Sequence, residues 1–129
     1  MSTKLDVLLI EDNSEDIQMT RETLAGNEHI GKLTIIQDGE TAIERLRAMR
    51  RPHVPDLILL DLYLPKRTGL EVLLEVKGMP ELASVPVVIL TASTANEDFI
   101  ERFNIRASAC LQKPIDPTAF ERVAGTIAA

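Results

Sequence analysis

The chain has 129 residues, the length of one ordinary domain, and 45% of them are apolar, enough for one sizeable core. A net charge of −6 argues against a nucleic-acid groove, and a single cysteine, Cys110, with only His29 and His53, excludes an internal disulfide and a zinc ligand set. The opening Met1-Ser2-Thr3-Lys4 is not an apolar signal segment, and no apolar run approaches the ~18 to 20 residues of a membrane span, so a soluble cytoplasmic protein without membrane association is expected.

Leu5 to Ile10 (LDVLLI) is a short, nearly continuous apolar run of the kind buried on both faces of a parallel sheet. It ends at Glu11-Asp12-Asn13-Ser14, where Asn13 or Ser14 can cap a helix carrying Glu15 and Asp16 in its first turn and Ile17, Thr20 and Leu24 on one face. Leu33 to Ile36 reads as a second strand. Gly39-Glu40 then precede a helix with Ala42, Ile43, Leu46 and Met49 on its inner stripe. Arg45, Arg47, Arg50 and Arg51 crowd the far end of that helix, where cations suit the dipole, and read as a solvated helix end. Leu57 to Leu60 is the third strand, and it runs into Asp61 within LILLDLYLP. A charge in such a run is costly to bury unless something pairs with it.

Thr68-Gly69 start a third helix with Leu70, Leu73, Leu74 and Val76, and Val85 to Leu90 form a fourth strand. Phe99, Ile100 and Phe103 mark a fourth helix, Ala109-Cys110-Leu111 a short fifth strand, and Phe120, Val123, Ala124 and Ile127 a fifth helix. Pro65, Pro86, Pro114 and Pro117 fall at element edges. No repeat, low-complexity tract or linker interrupts the pattern, so residues 1–129 are expected to form a single domain. Strict alternation of five strands and five helices at this length predicts an α/β fold with a parallel sheet, most simply in the flavodoxin-like order 2-1-3-4-5.

Right-handed crossovers bring the carboxyl ends of all parallel strands to one edge of the sheet. That edge would gather Glu11, Asp12 and Asn13, then Asp61, then Thr91-Ala92-Ser93, and finally Lys113-Pro114. Crowded carboxylates repel one another, and a hard divalent cation resolves this; Mg²⁺ is preferred because it binds few carboxylates and leaves positions for phosphate. Lys113 adds positive charge, and Thr91 can hydrogen-bond an oxygen of a phosphoryl group held there. Asp61, at the mouth of the central strand, is the nucleophile candidate.

These residues resemble the receiver domains of two-component response regulators, also called CheY-like domains. The resemblance spans essentially the whole chain and rests on I-E-D-N at Ile10–Asn13, D-L-Y-L-P-x-x-x-G at Asp61–Gly69, V-V-I-L-T-A at Val87–Ala92, and Lys113-Pro114. It implies Asp61 as phosphoacceptor, and Glu11, Asp12 and Asp61 with the Tyr63 backbone carbonyl as the Mg²⁺ site. It further implies Thr91 as a switch hydroxyl and Lys113 as the phosphate-contacting lysine, joined to Pro114 by a cis bond. Each piece has a plain reading by itself: an acidic helix start, a strand-ending turn aspartate, a helix cap, a surface lysine. All four falling at the same end of different strands is what the plain readings do not account for.

Other chemistries of this fold class fit poorly. Dinucleotide and P-loop sites need a glycine-rich first turn, and here that turn is Glu-Asp-Asn-Ser. Haloacid-dehalogenase phosphatases place a second aspartate where this chain has Tyr63. Departures from the receiver pattern are Cys110, in a place usually held by Tyr or Phe, and Arg106, in a place commonly held by glycine. Tyr63 and Ser93 occupy positions that tune loss of the phosphoryl group, and the Tyr63 ring suggests a long-lived aspartyl phosphate.

The expectation is therefore a single-domain response regulator that takes a phosphoryl group from a phosphohistidine of a sensor kinase or phosphotransfer protein. It would be a phosphoacceptor, not a turnover enzyme, with output through a downstream protein and homodimerisation as a family habit. Finer features, Glu75-Val76-Lys77 among them, resemble regulators paired with phytochrome kinases. The alternatives are a receiver excised from a longer hybrid kinase or regulator, and a receiver-like docking module that is not phosphorylated.

Overall fold

The computed structural model describes residues 4–92 and 109–128. Among them run five strands: β1 (Leu5–Ile10), β2 (Ile30–Ile36), β3 (Leu57–Asp61), β4 (Val87–Thr91) and β5 (Ala109–Gln112). Four helices are described: α1 (Ser14–Ala25), α2 (Gly39–Arg47), α3 (Gly69–Gly78) and α4 (Pro117–Ala128). The helix expected around Phe99, Ile100 and Phe103, together with Ser93 and Arg106, lies outside the described residues. All strand pairings are parallel and the order is β2-β1-β3-β4-β5, as the alternation predicts.

Strand bounds depart from the apolar runs for local reasons. β2 starts at Ile30 rather than Leu33, since Ile30 pairs with Leu5 and a register irregularity then carries the ladder past polar Gly31-Lys32. As an edge strand, β2 leaves those two residues exposed. β4 starts at Val87 rather than Val85: the Val85 amide closes a turn on the Leu82 carbonyl (2.9 Å), and Pro86 has no N–H to give. At their other ends β3 and β4 take in Asp61 and Thr91.

Successive strand residues point to opposite faces, and two cores follow. Leu8, Ile10, Ile58, Leu60, Val87 and Ile89 pack beneath α2 and α3 with Leu46, Val72 and Leu73. On the other face Val7, Leu9, Leu57, Leu59, Val88 and Leu90 pack beneath α1 and α4 against Ile17, Leu24 and Phe120. Cys110 is half-buried against the first of these cores, as a small apolar side chain would be.

Caps fix where the helices begin. Asn13 caps α1 by accepting the Asp16 amide at 2.9 Å, and Asp38, a residue before the predicted Gly39 start, caps α2 through the Thr41 amide at 2.7 Å. Thr68 and Glu71 form a reciprocal capping box on α3. Arg47, at the end of α2, and Arg50 and Arg51, just after it, are tied into the protein itself. Arg47 pairs with Glu75 at 2.5 Å, Arg50 donates to the carbonyls of Arg47 and Met49, and Arg51 donates to Ser84 Oγ at 2.6 Å. No helix among the described residues is long and apolar enough to cross a membrane.

Candidate functional site

Register and parity decide what meets at the carboxyl edge. Ile10 lies beside Leu60 and Asp61 beside Leu90, so Glu11 comes out abreast of Asp61, and Thr91, paired with Gln112, stands one step further along. By alternation Glu11 follows Leu9, Asp61 follows Leu59, and Lys113 follows Leu111, all toward the α1–α4 layer. Thr91 instead continues the row of Val87 and Ile89, on the face that also receives Cys110. Glu11, Asp61 and Lys113 are thus brought together on one face, and Thr91 closes the edge from the other. Its carbonyl accepts the Lys113 amide at 2.7 Å.

The side chains make a compact charged cluster. Lys113 Nζ donates to Asp16 Oδ2 at 2.8 Å, to Glu11 Oε1 at 3.0 Å and to Asp61 Oδ2 at 3.4 Å. Glu11 is 0% exposed, Asp61 4% and Thr91 1%, whereas Asp12 faces solvent. Backbone amides support the carboxylates: Asn13 N–H donates to Glu11 Oε2 and Tyr63 N–H to Asp61 Oδ1, each at 3.2 Å. Tyr63 enters the site through this backbone contact, while its residue surface is 69% exposed. The Lys113–Pro114 peptide is cis, in line with the expectation, and so is Arg51–Pro52.

Electrostatics follow from burial. Burial pushes the Glu11 carboxyl up to about 7, a hydrogen bond with Asp61 and the Asp61 charge push the same way, and the Lys113 hydrogen bond pulls against them. For Lys113 burial opposes the charged form, but its bonds to Asp16 and Glu11 and the Asp61 charge outweigh that, so the ammonium is held above its ordinary pKa. The site therefore carries more carboxylates than one ammonium neutralises.

Glycines let the backbone close on Asp61. A Cβ on Gly69 would lie 2.2 Å from the Asp61 carbonyl oxygen and 2.6 Å from Leu62 Cα, while the Gly69 amide donates to the Leu62 carbonyl at 2.9 Å. Only a residue without a side chain brings the start of α3 this close to the end of β3. Gly39 does the same for the loop after β3, where a Cβ would meet the Arg67 carbonyl oxygen at 2.0 Å.

Asp16 joins the cluster although the sequence places it only in a helix first turn. Its position four residues after Asp12, one helical turn on, is the available signal, but its partner Lys113 is 97 residues away.

Residues 7–124 match the family model of the response regulator receiver domain. The chain belongs to that family. Among curated receiver proteins, response regulator Rcp1 of Synechocystis is 37% identical over 110 residues, covering 83% of this chain and 75% of that one. The solved Mn²⁺-bound form of Rcp1 superposes with a TM-score of 0.73 at 33% identity, covering 95% of this chain and 91% of that one. The bacteriophytochrome response regulator RtBRR gives 0.84 at 32% identity, covering 98% and 79%. The phosphorylated cyanobacterial phytochrome response regulator RcpA gives 0.77 at 32% identity, covering 97% and 91%.

This receiver domain accepts a phosphoryl group from a histidine kinase onto an aspartate in an Mg²⁺-dependent reaction, and signals by a conformational change to a partner. The residues present fit the cation. Glu11, Asp12 and Asp61 each offer a carboxylate oxygen, all within 4.8 Å of one another, and a set of hard oxygen donors without His or Cys suits Mg²⁺ or Mn²⁺.

Proposed function

We propose that Asp61 is the phosphoacceptor and Lys113 its charge-balancing partner, in a receiver unit that fills residues 1–129. The observation that carries this is the placement of Lys113 Nζ 3.4 Å from a 4%-exposed Asp61 at the carboxyl edge of β3. An Asp61 carboxylate oxygen attacks phosphorus in line, the bond from phosphorus to the donor imidazole nitrogen breaks, and the imidazole, protonated on its other ring nitrogen, takes the electron pair and leaves neutral. Lys113 donates to the incoming phosphoryl oxygens, and the Thr91 hydroxyl is the group at the end of β4 that can turn toward them. Glu11, Asp12 and Asp61, with the Tyr63 carbonyl, would hold the Mg²⁺, whose charge offsets that of the phosphoryl oxygens. The product adds roughly −1.5 to −2 charge to the edge, and this is what shifts the loops there.

The chain acts as a phosphoacceptor with its own transfer and autodephosphorylation chemistry, not as a turnover enzyme. Likeness to Rcp1, RcpA and RtBRR supports a phytochrome-type sensor kinase as phosphodonor and a protein as downstream target, in the cytoplasm. Incubation with Mg²⁺ and acetyl phosphate followed by intact mass tests the assignment. The expected result is a gain of one phosphoryl group in the native chain and none in Asp61→Asn. No gain in the native chain would favour a docking module that works unphosphorylated.

A further inference from the structure

Lys113 is shared unevenly among its carboxylates. An ammonium has three N–H donors, and the shortest of the three contacts, 2.8 Å, goes to Asp16, the one partner outside the Glu11–Asp12–Asp61 trio. Asp16 is itself fixed by a closed ring of bonds. Its amide donates to Asn13 Oδ1 at 2.9 Å, the Asn13 amide donates to Glu11 Oε2 at 3.2 Å, and Lys113 spans Asp16 Oδ2 and Glu11 Oε1. The lysine side chain is 13% exposed, so it has little solvent to turn to if Asp16 is lost.

An ammonium and a divalent cation compete for the same carboxylate oxygens. Without the Asp16 carboxylate, the contacts of the Lys113 ammonium among the described residues are those to Glu11 and Asp61, and a cation would have to displace it from both. With Asp16 in place, the ammonium is drawn toward α1. We propose that Asp16 is a positioning residue: by taking the shortest of the Lys113 contacts it weakens the hold of that ammonium on Glu11 and Asp61, so that a divalent cation displaces it from them more readily. The proposal rests on the assignment of Glu11, Asp12 and Asp61 as the cation site. The competing explanation is that Asp16 merely adds one negative charge, an effect that acts on the cation directly and does not require Lys113.

A double-mutant cycle separates the two. Mg²⁺ is titrated into the full chain at about 0.15 M ionic strength, where long-range charge effects are screened, and followed by backbone amide shifts in NMR. In the native background Asp16→Asn should raise the Mg²⁺ dissociation constant roughly fivefold, the scale of losing a partly exposed ion pair. Lys113→Met alone should tighten Mg²⁺, and Asp16→Asn should then change nothing further; Lys113→Gln serves if the methionine variant does not fold. An equal Asp16→Asn effect in both backgrounds, or none in the native one, overturns the proposal. Asp61→Asn is the control on the site itself. If it leaves Mg²⁺ affinity unchanged, the cation-site assignment fails, whatever the cycle shows.

Discussion

Replacing Gly69 by alanine puts a methyl group where there is no room for one. The new Cβ would sit 2.2, 2.6 and 2.9 Å from Asp61 O, Leu62 Cα and Asp61 C, all of them backbone atoms. Backbone cannot swing aside as the tip of a flexible side chain can, so the strain falls at the upper end of the about 1–3 kcal/mol typical of overpacking. Alanine returns about 0.5–1 kcal/mol by restricting the unfolded chain, leaving a net loss of about 2 kcal/mol. At this chain length that lowers the melting temperature by about 8 °C. Gly78, at the other end of α3, is the matched control, because nothing lies within 4 Å of where its Cβ would stand and alanine there should raise stability slightly. Thermal melts followed by far-UV circular dichroism give both values. Because the displaced atoms belong to the backbone of Asp61, the proposed acceptor, labelling of folded Gly69→Ala by acetyl phosphate should also slow by about ten- to a hundredfold, the cost of misplacing a reacting group. If Gly69→Ala melts no lower than Gly78→Ala, the close approach of α3 to β3 does not constrain Asp61 as described.

Glu11 predicts a pH dependence in the metal-free protein. Its folded pKa of about 7 lies above the ordinary 4.5, so its contribution to stability is full below pH 4.5 and is lost as pH rises through 7. Melting temperatures of native and Glu11→Gln chains between pH 4.5 and 7.5 should show a downward slope that the variant lessens; parallel slopes would discard the assignment. Since a cation needs the ionised carboxylate, Mg²⁺ affinity should rise with pH by up to about tenfold per unit and level off above about pH 7. The exposed Tyr63 ring, two residues from the proposed acceptor Asp61, should slow hydrolysis by obstructing the attacking water, so Tyr63→Asn should shorten the phosphoryl half-life, and equal half-lives would remove the ring from the account.

Much of this arrangement is legible in the sequence because burial on both faces leaves a plain signature. Leu57 to Leu60 can be nothing but an interior element, and Asp61 at its end marks the edge. β2 is harder to bound, since an edge strand tolerates Gly31 and Lys32 and so breaks its own apolar run. Glu11, Asp12, Asp61 and Lys113 each come within two residues of a strand's end, which is why topology alone brings them together. Gly69 stands in the quoted motif and Gly39 at an expected helix start, but their close packing, like the part played by Asp16, is not readable in the same way. Asp16 depends on a partner 97 residues off, and the glycines on backbone that would stand 2.2 and 2.0 Å from an added Cβ; neither leaves a local pattern.

The location of the charge excess follows from the same packing. Both faces of the sheet are filled, so a buried carboxylate cannot be relieved by repacking apolar side chains around it; it must find hydrogen bonds or a cation. Glu11 and Asp61 each receive one backbone amide and a share of Lys113, so every one of their four oxygens has one donor and about half of the lone pairs are left over in the bonds described. Burial, with the Asp61 carboxylate beside it, raises the Glu11 pKa, so a proton competes with a cation for that carboxylate. Glu11, Asp12 and Asp61 would hold a divalent ion in place of that proton, once Lys113 gives up its bonds to Glu11 and Asp61. On this view Asp16 and the cation are coupled through one ammonium, and the register of the strands keeps the resting site short of positive charge, ready to take it up as a metal ion before a phosphoryl group arrives.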